Sequence, residues 1–276
     1  MQRSVSNQSF HAFANPSGLR KLLISAAQNT ELPIAMLTIF FAIISLLYAT
    51  VGQAGGTAFL ALMAFASFPS TQMRPTALLL NIVAATYSTW LFNRGGFIDW
   101  KRLKLFLIAS VPAALIGGFT ILSPHLYDAI TGVVLIFAAA ILLIGRSRRA
   151  ISDGDAPSWG AITTGAGIGL VSGLTGVGGG VFLAPVLIAM RWASPKETAA
   201  LSAPFIWVNS AVGLVGAIYA GQLPSPQTWL YALGAVTGAM IGTTIGLRWL
   251  SETTTRYVIA VVLIAAGILL MVLATR

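Results

Sequence analysis

The chain has 276 residues, 57% of them hydrophobic and only 8% charged, with a mean hydropathy of +0.85; soluble domains carry roughly 25% charged residues, so a membrane protein is expected. Its 16 Lys+Arg against 7 Asp+Glu give a net charge of +9, but the basic residues fall in short connections between apolar runs, a pattern that suits a lipid bilayer as partner and not a nucleic acid. The absence of cysteine removes disulfides, thiolate metal sites and cysteine nucleophiles.

Along the chain, residues 1–31 read as a lead-in, with the basic-apolar piece "GLRKLLISAA" at 18–27 as an interfacial helix or a disordered stretch. The first apolar block, 33–68, is more than 30 residues long and carries a glycine cluster. That is too long for one straight crossing at about 1.5 Å per residue, and it predicts two half-helices joined at glycine. Residues 76–93, 103–122 and 126–145 each suit a single crossing, and the polar stretch 146–158, "RSRRAISDGDAPS", divides the chain. A second glycine-broken block follows at 159–190, then three further helices at 198–220, 229–250 and 257–274. No run of alternating ten-residue strands suggests a barrel.

The halves resemble one another. "VGQAGGTAFLAL" at 51–62 matches "TGVGGGVFLAPV" at 175–186 with an offset of 124, and Thr76-Ala77 falls opposite Thr198-Ala199 at 122. The expected fold is an all-α integral membrane protein of two homologous repeats, 32–145 and 159–276, each a glycine-broken helix or re-entrant hairpin followed by three transmembrane helices. Eleven of the sixteen cations fall on one side whether the repeats are parallel or inverted, so charge does not choose between them. Segment length and loop charge favour inversion, and a multi-pass protein of the cell or inner membrane follows.

Paired interruptions in corresponding positions point to a transporter's binding site. Non-helical backbone at membrane depth needs a pocket to satisfy it, and a helix that restarts after glycine offers unpaired N–H groups and the positive end of its dipole. The candidate substrate-binding residues are Gly52, Gln53, Gly55, Gly56 and Thr57 in the first unit and Thr175, Gly176, Gly178, Gly179 and Gly180 in the second, with Asn81 and Asn209 from the helices that follow. Interhelical hydrogen bonding is the competing role for both asparagines. Gly165, Gly169 and Gly173, and likewise Gly234, Gly238, Gly242 and Gly246, recur every fourth residue as packing ridges; the second ridge suits a homodimer as well as the protomer's own packing. All seven acids lie at or beyond the expected helix ends, so the interior offers donors without carboxylates and fits a small anion. Arg74, Arg94 and Lys196 read as solvated or snorkelling charges, or as anion attractors at an entrance. No metal cluster, nucleophile elbow or Walker lysine supports an enzyme or a resident cofactor.

With these motifs in view, "GQAGGTAFLAL", "GVGGGVFLAPVL" and "SAPFIWVNS" resemble the TauE/SafE sulfite exporter family, also called the 4-toluene sulfonate uptake permease family, over residues 32–273. Ala61 stands where the second unit has Pro185, so the first half-helix is expected to be less sharply broken, and Ser202-Ala203 replaces a threonine-serine pair. The resemblance implies a secondary transporter of sulfite or an organosulfonate working by alternating access. A passive small-anion channel and a non-transporting membrane subunit are the alternatives.

Overall fold

The computed structural model describes residues 33–144, 156–246 and 252–275. The lead-in 1–31 and most of the polar stretch 146–158 lie outside these residues. Among the described residues the chain is helical, in the order α1 (Ile34–Ala49), α2 (Gly56–Phe65), α3 (Ser70–Arg94), α4 (Trp100–Phe119), α5 (Pro124–Ile144), α6 (Ser158–Thr175), α7 (Gly180–Ala189), α8 (Pro195–Tyr219), α9 (Thr228–Gly246) and α10 (Glu252–Ala274). By length and composition α3, α4, α8 and α9 can each cross a membrane. With ten residues apiece, α2 and α7 are about 15 Å long, half the hydrocarbon thickness.

Helix starts follow local chemistry. Asp99 caps α4 by accepting the N–H groups of Lys101 and Arg102 at 3.0 and 3.1 Å. Ser194 and Glu197 form a reciprocal capping box at α8. The helix after each broken block begins earlier than the apolar pattern suggests, α3 at Ser70 and α8 at Pro195, because these first turns are polar. Arg74 therefore belongs to α3, and it is buried at 1% exposure, neither solvated nor snorkelling. Asp128 is buried as well, its Oδ1 accepting the Ser70 hydroxyl at 2.9 Å.

Both glycine-broken blocks fold back on themselves. The rings of Phe41 in α1 and Phe59 in α2 stand 5.5 Å apart between centroids, whereas an unbroken helix would separate these positions by about 27 Å. In the second block Gly179 lies against Ile168 of α6, as Gly55 lies against Ile44 of α1. Both α2 and α7 start at a left-handed glycine, so the first break is as sharp as the second despite its poorer glycine content. The residues with positive φ fall into counterparts: Gly52 and Gly176, Gly55 and Gly179, Ser67 and Arg191, Gly96 and Gly221, with Gly178 left over.

Small residues let backbones touch. Gly165, Gly169 and Gly173 of α6 run along Phe106, Ser110 and Ala114 of α4, and Gly234, Gly238 and Gly242 of α9 run along Thr38, Ala42 and Leu46 of α1. Both pairs are parallel, and both ridges are filled from within the protomer. By contrast α3 and α8 lie antiparallel: Arg74 near the start of α3 reaches Gln222 beyond the end of α8, and Lys196 at the start of α8 lies over Phe97 beyond the end of α3. In α5 and α10, Gly132 meets Met271 while Ile136 meets Gly267, again antiparallel.

Candidate functional site

Between α1 and α2 the chain turns at Gly52 (φ 75°) and Gly55 (φ 109°), and between α6 and α7 at Gly176, Gly178 and Gly179 (φ 87°, 84° and 80°). Side chains other than hydrogen rarely tolerate such φ values, which is why glycines cluster here at a helix-weakening cost. The N-caps Gly55 and Gly179 offer no side-chain hydrogen bond. The first-turn N–H groups beginning at Gly56 and Gly180 are therefore left uncapped at the positive ends of two helices.

These two ends meet. Gly56 sits against the carbonyl of Val177, and a Cβ on Gly180 would lie 2.5 Å from Oε1 of Gln53. Across the junction Gln53 Nε2 donates to the Gly180 carbonyl at 3.2 Å. From α3, Asn81 Nδ2 donates to the Gly176 carbonyl at 3.1 Å, and the same amide borders Gly56 and Gly178. The Tyr48 hydroxyl and Thr57 Oγ1 share a hydrogen bond of 2.8 Å. Tyr48, Gln53, Ala54, Gly55, Gly56, Thr57, Val177, Val181 and Ile206 line a cavity of about 10 Å³, room for a single water. Every residue of this wall is neutral, so the local field is set by helix ends and amide or hydroxyl donors.

Several buried polar atoms here lack a partner. Asn81 Oδ1 and the hydroxyls of Ser172 and Ser210 are unpaired, and the Ser210 hydroxyl would lie 3.2 Å from a Cβ on Gly178. Most buried polar groups are satisfied, and an unpaired one costs on the order of 1–3 kcal/mol. A concentration of them beside two uncapped helix ends is what a site awaiting a polar solute requires.

Of the residues expected from sequence, Gln53, Gly55, Gly56 and Thr57 line the cavity, and Asn81, Gly178 and Gly180 border it. Gly52 and Gly176 pack instead on the first turns of the opposite long helices, at Ala199 and Arg74, and Gly179 packs on Ile168 and Phe205. The Thr175 hydroxyl donates to the Val171 carbonyl at 2.7 Å, and its own carbonyl accepts the Tyr127 hydroxyl at 2.9 Å. Asn209 accepts from Ser110 of α4 at 2.5 Å and donates to the Phe205 carbonyl at 2.9 Å. Both groups of its amide are thus used in helix contacts. Tyr48, Ala54, Val177, Val181 and Ile206 are wall residues that sequence reasoning missed. Tyr48 carried a usable signal, a hydroxyl in an apolar run just before a break; Ile206 carried none.

A family model for sulfite exporter TauE/SafE matches residues 36–270. Among curated proteins, a probable membrane transporter protein y4hK of Sinorhizobium fredii is 35% identical over 240 residues, covering 85% of this chain and 97% of that protein. A probable membrane transporter protein YunE of Bacillus subtilis is 26% identical over 215 residues, covering 70% of this chain and 77% of that protein. No solved structure matches.

Proposed function

The chain belongs to the TauE/SafE sulfite exporter family and is a multi-pass membrane transporter, and on that premise we propose that it moves a small oxyanion, sulfite or an organosulfonate, by alternating access around the junction of α2 and α7. The observation that carries this reading is the meeting of two uncapped half-helix N-termini at one buried, carboxylate-free cavity. Such ends favour negative charge, and the Gln53, Thr57 and Asn81 side chains add directional donors. A space of about 10 Å³ is too small for sulfite with its four heavy atoms. The cavity must therefore widen during transport, which argues for a moving carrier over an open channel.

The packing supports inverted repeats as the basis of that movement. A two-fold axis in the membrane plane sets each self-paired helix antiparallel to its counterpart, as α3 lies to α8 and α5 to α10. The same operation exchanges the parallel pair α1 and α9 with the parallel pair α6 and α4. Arg94, Lys101, Arg102, Lys104, Arg191 and Lys196 then share one face, the cytoplasmic one by the positive-inside rule, and Arg74 lies towards the other.

A thermal-shift panel of sulfite, sulfate, thiosulfate, sulfoacetate, carboxylates and halides on detergent-purified protein tests the ligand class, since a ligand that binds only the folded state raises Tm with concentration. Stabilisation by sulfite or sulfonates, followed by their saturable flux in proteoliposomes, is the expected result. Stabilisation by carboxylates or halides alone would overturn the substrate assignment.

A further inference from the structure

Both ends of the α3/α8 pair are closed by a cation from the first turns of one helix held to the residue just past the end of the other. At one end Arg74 donates from Nε to Gln222 Oε1 at 2.8 Å, from Nη1 to the carbonyls of Gly117 and Thr120 at 3.2 and 2.9 Å, and from Nη2 to that of Gly118 at 3.1 Å. At the other end Lys196 Nζ lies 4.0 Å above the ring centre of Phe97. Gln222 and Phe97 occupy equivalent backbone positions. Each follows a positive-φ glycine, Gly221 or Gly96, and each N–H returns to its helix, Gln222 to Ala217 at 2.9 Å and Phe97 to Phe92 at 3.0 Å. This is one helix-terminating motif used twice. Arg74 and Lys196 are themselves 122 positions apart, the offset that relates Thr76-Ala77 to Thr198-Ala199.

Each of these contacts is coupled to a glycine turn. Gly176 packs on the backbone of Arg74, and Gly52 packs on that of Ala199, one turn beyond Lys196. With these glycines already in contact with backbone, neither helix start can swing without pressing on the turn that leads directly into Gln53 or Val177 of the cavity wall.

We propose that Arg74–Gln222 and Lys196–Phe97 are the two gate contacts of the transport cycle, one at each membrane face, and that opening to a face breaks the contact on that face while the other holds. This assignment rests on the alternating-access reading of the α2/α7 junction. The hydrogen bonds from Arg74 go to neutral acceptors only, and an oxyanion makes stronger, charge-assisted bonds to a guanidinium. An anion arriving at the Arg74 face can thus compete for the guanidinium and help release Gln222. Among the described residues the Lys196 contact has one aromatic partner, and its cation is exposed, so its gate is the weaker one and yields first.

The absence of native cysteine permits a direct test. An Ala54→Cys reporter in the cavity wall is labelled with a membrane-impermeant maleimide from either face of oriented vesicles, without substrate. Gln222→Leu is expected to raise the labelling rate about tenfold from the Arg74 face and leave the other unchanged, whereas Phe97→Leu does the reverse. Gln222→Leu leaves the carbonyl contacts of Arg74 intact, whereas Arg74→Gln disrupts them; melting temperature and gel-filtration profile check that the fold is spared. Labelling that changes equally at both faces, or at neither, would overturn the gate assignment. Because no substrate is used, side-specific labelling without sulfite or sulfonate flux would refute the substrate while keeping the gates. Flux with labelling insensitive to both substitutions would do the opposite.

Discussion

Replacing Gln53 by glutamate separates charge from shape at the cavity wall. The exchange is nearly isosteric, and the side chain stands where Nε2 donates to the Gly180 carbonyl at 3.2 Å, beside the uncapped start of α7. A carboxylate there would face an anion bound at the same helix end. Two like charges about 4 Å apart at an effective dielectric of about 20 repel by about 4 kcal/mol, or roughly a thousandfold in affinity. Gln53→Leu introduces no charge; besides the bond to Gly180 it removes a donor to the charged ligand, about 1.5–3 kcal/mol, so its expected loss in affinity is roughly ten- to a hundredfold. Isothermal titration of purified protein with an organosulfonate, whose charge is constant with pH, reads both variants. The protonated acid is neutral like glutamine, so affinity of the glutamate variant recovers as pH falls through the titration of that carboxyl. Equal losses in the two variants, or tighter binding by the glutamate variant, would refute an anion site at this wall.

Other substitutions probe the packing and the remaining candidates. Gly165→Ala drives a methyl into the Phe106 carbonyl, whereas Gly167→Ala meets nothing within 4 Å; the first should lower Tm by an overpacking cost of about 1–3 kcal/mol and the second raise it by up to about 1 kcal/mol. Melting curves in detergent that move both variants alike would contradict the helix contact. Ser110→Ala leaves Asn209 Oδ1 buried without its donor, at a stability cost of about 1–3 kcal/mol; ligand affinity should stay unchanged, and a large loss in the same titration would return Asn209 to the binding site. Tyr48→Phe removes the hydroxyl paired with Thr57, and a loss of about 0.5–1.5 kcal/mol in binding is expected. Unaltered affinity would place that pair outside the ligand's reach.

Much of this arrangement is written in local sequence. The adjacent glycines 178–180 cannot share one helix face, so a break was legible, and the every-fourth-residue spacing of Gly165, Gly169 and Gly173 announced a ridge that does pack on α4. The hairpin direction was less accessible, because glycine permits either a kink or a reversal; the Phe41–Phe59 contact decides it. Asn81 and Asn209 looked alike in sequence, and their difference arises from which helix each meets across the bundle. Arg74 misled for a related reason. Its satisfaction by the carbonyls at the end of α4 depends on tertiary packing, and hydropathy alone assigns an arginine to water.

The central claim is that an anion binds between the starts of α2 and α7. Anomalous diffraction from crystals grown with selenite, a heavier analogue of sulfite, tests it most directly. The account expects selenium at the widened cavity, within hydrogen-bonding reach of the first-turn N–H groups at Gly56 and Gly180. A bound selenite away from both glycine turns would contradict it.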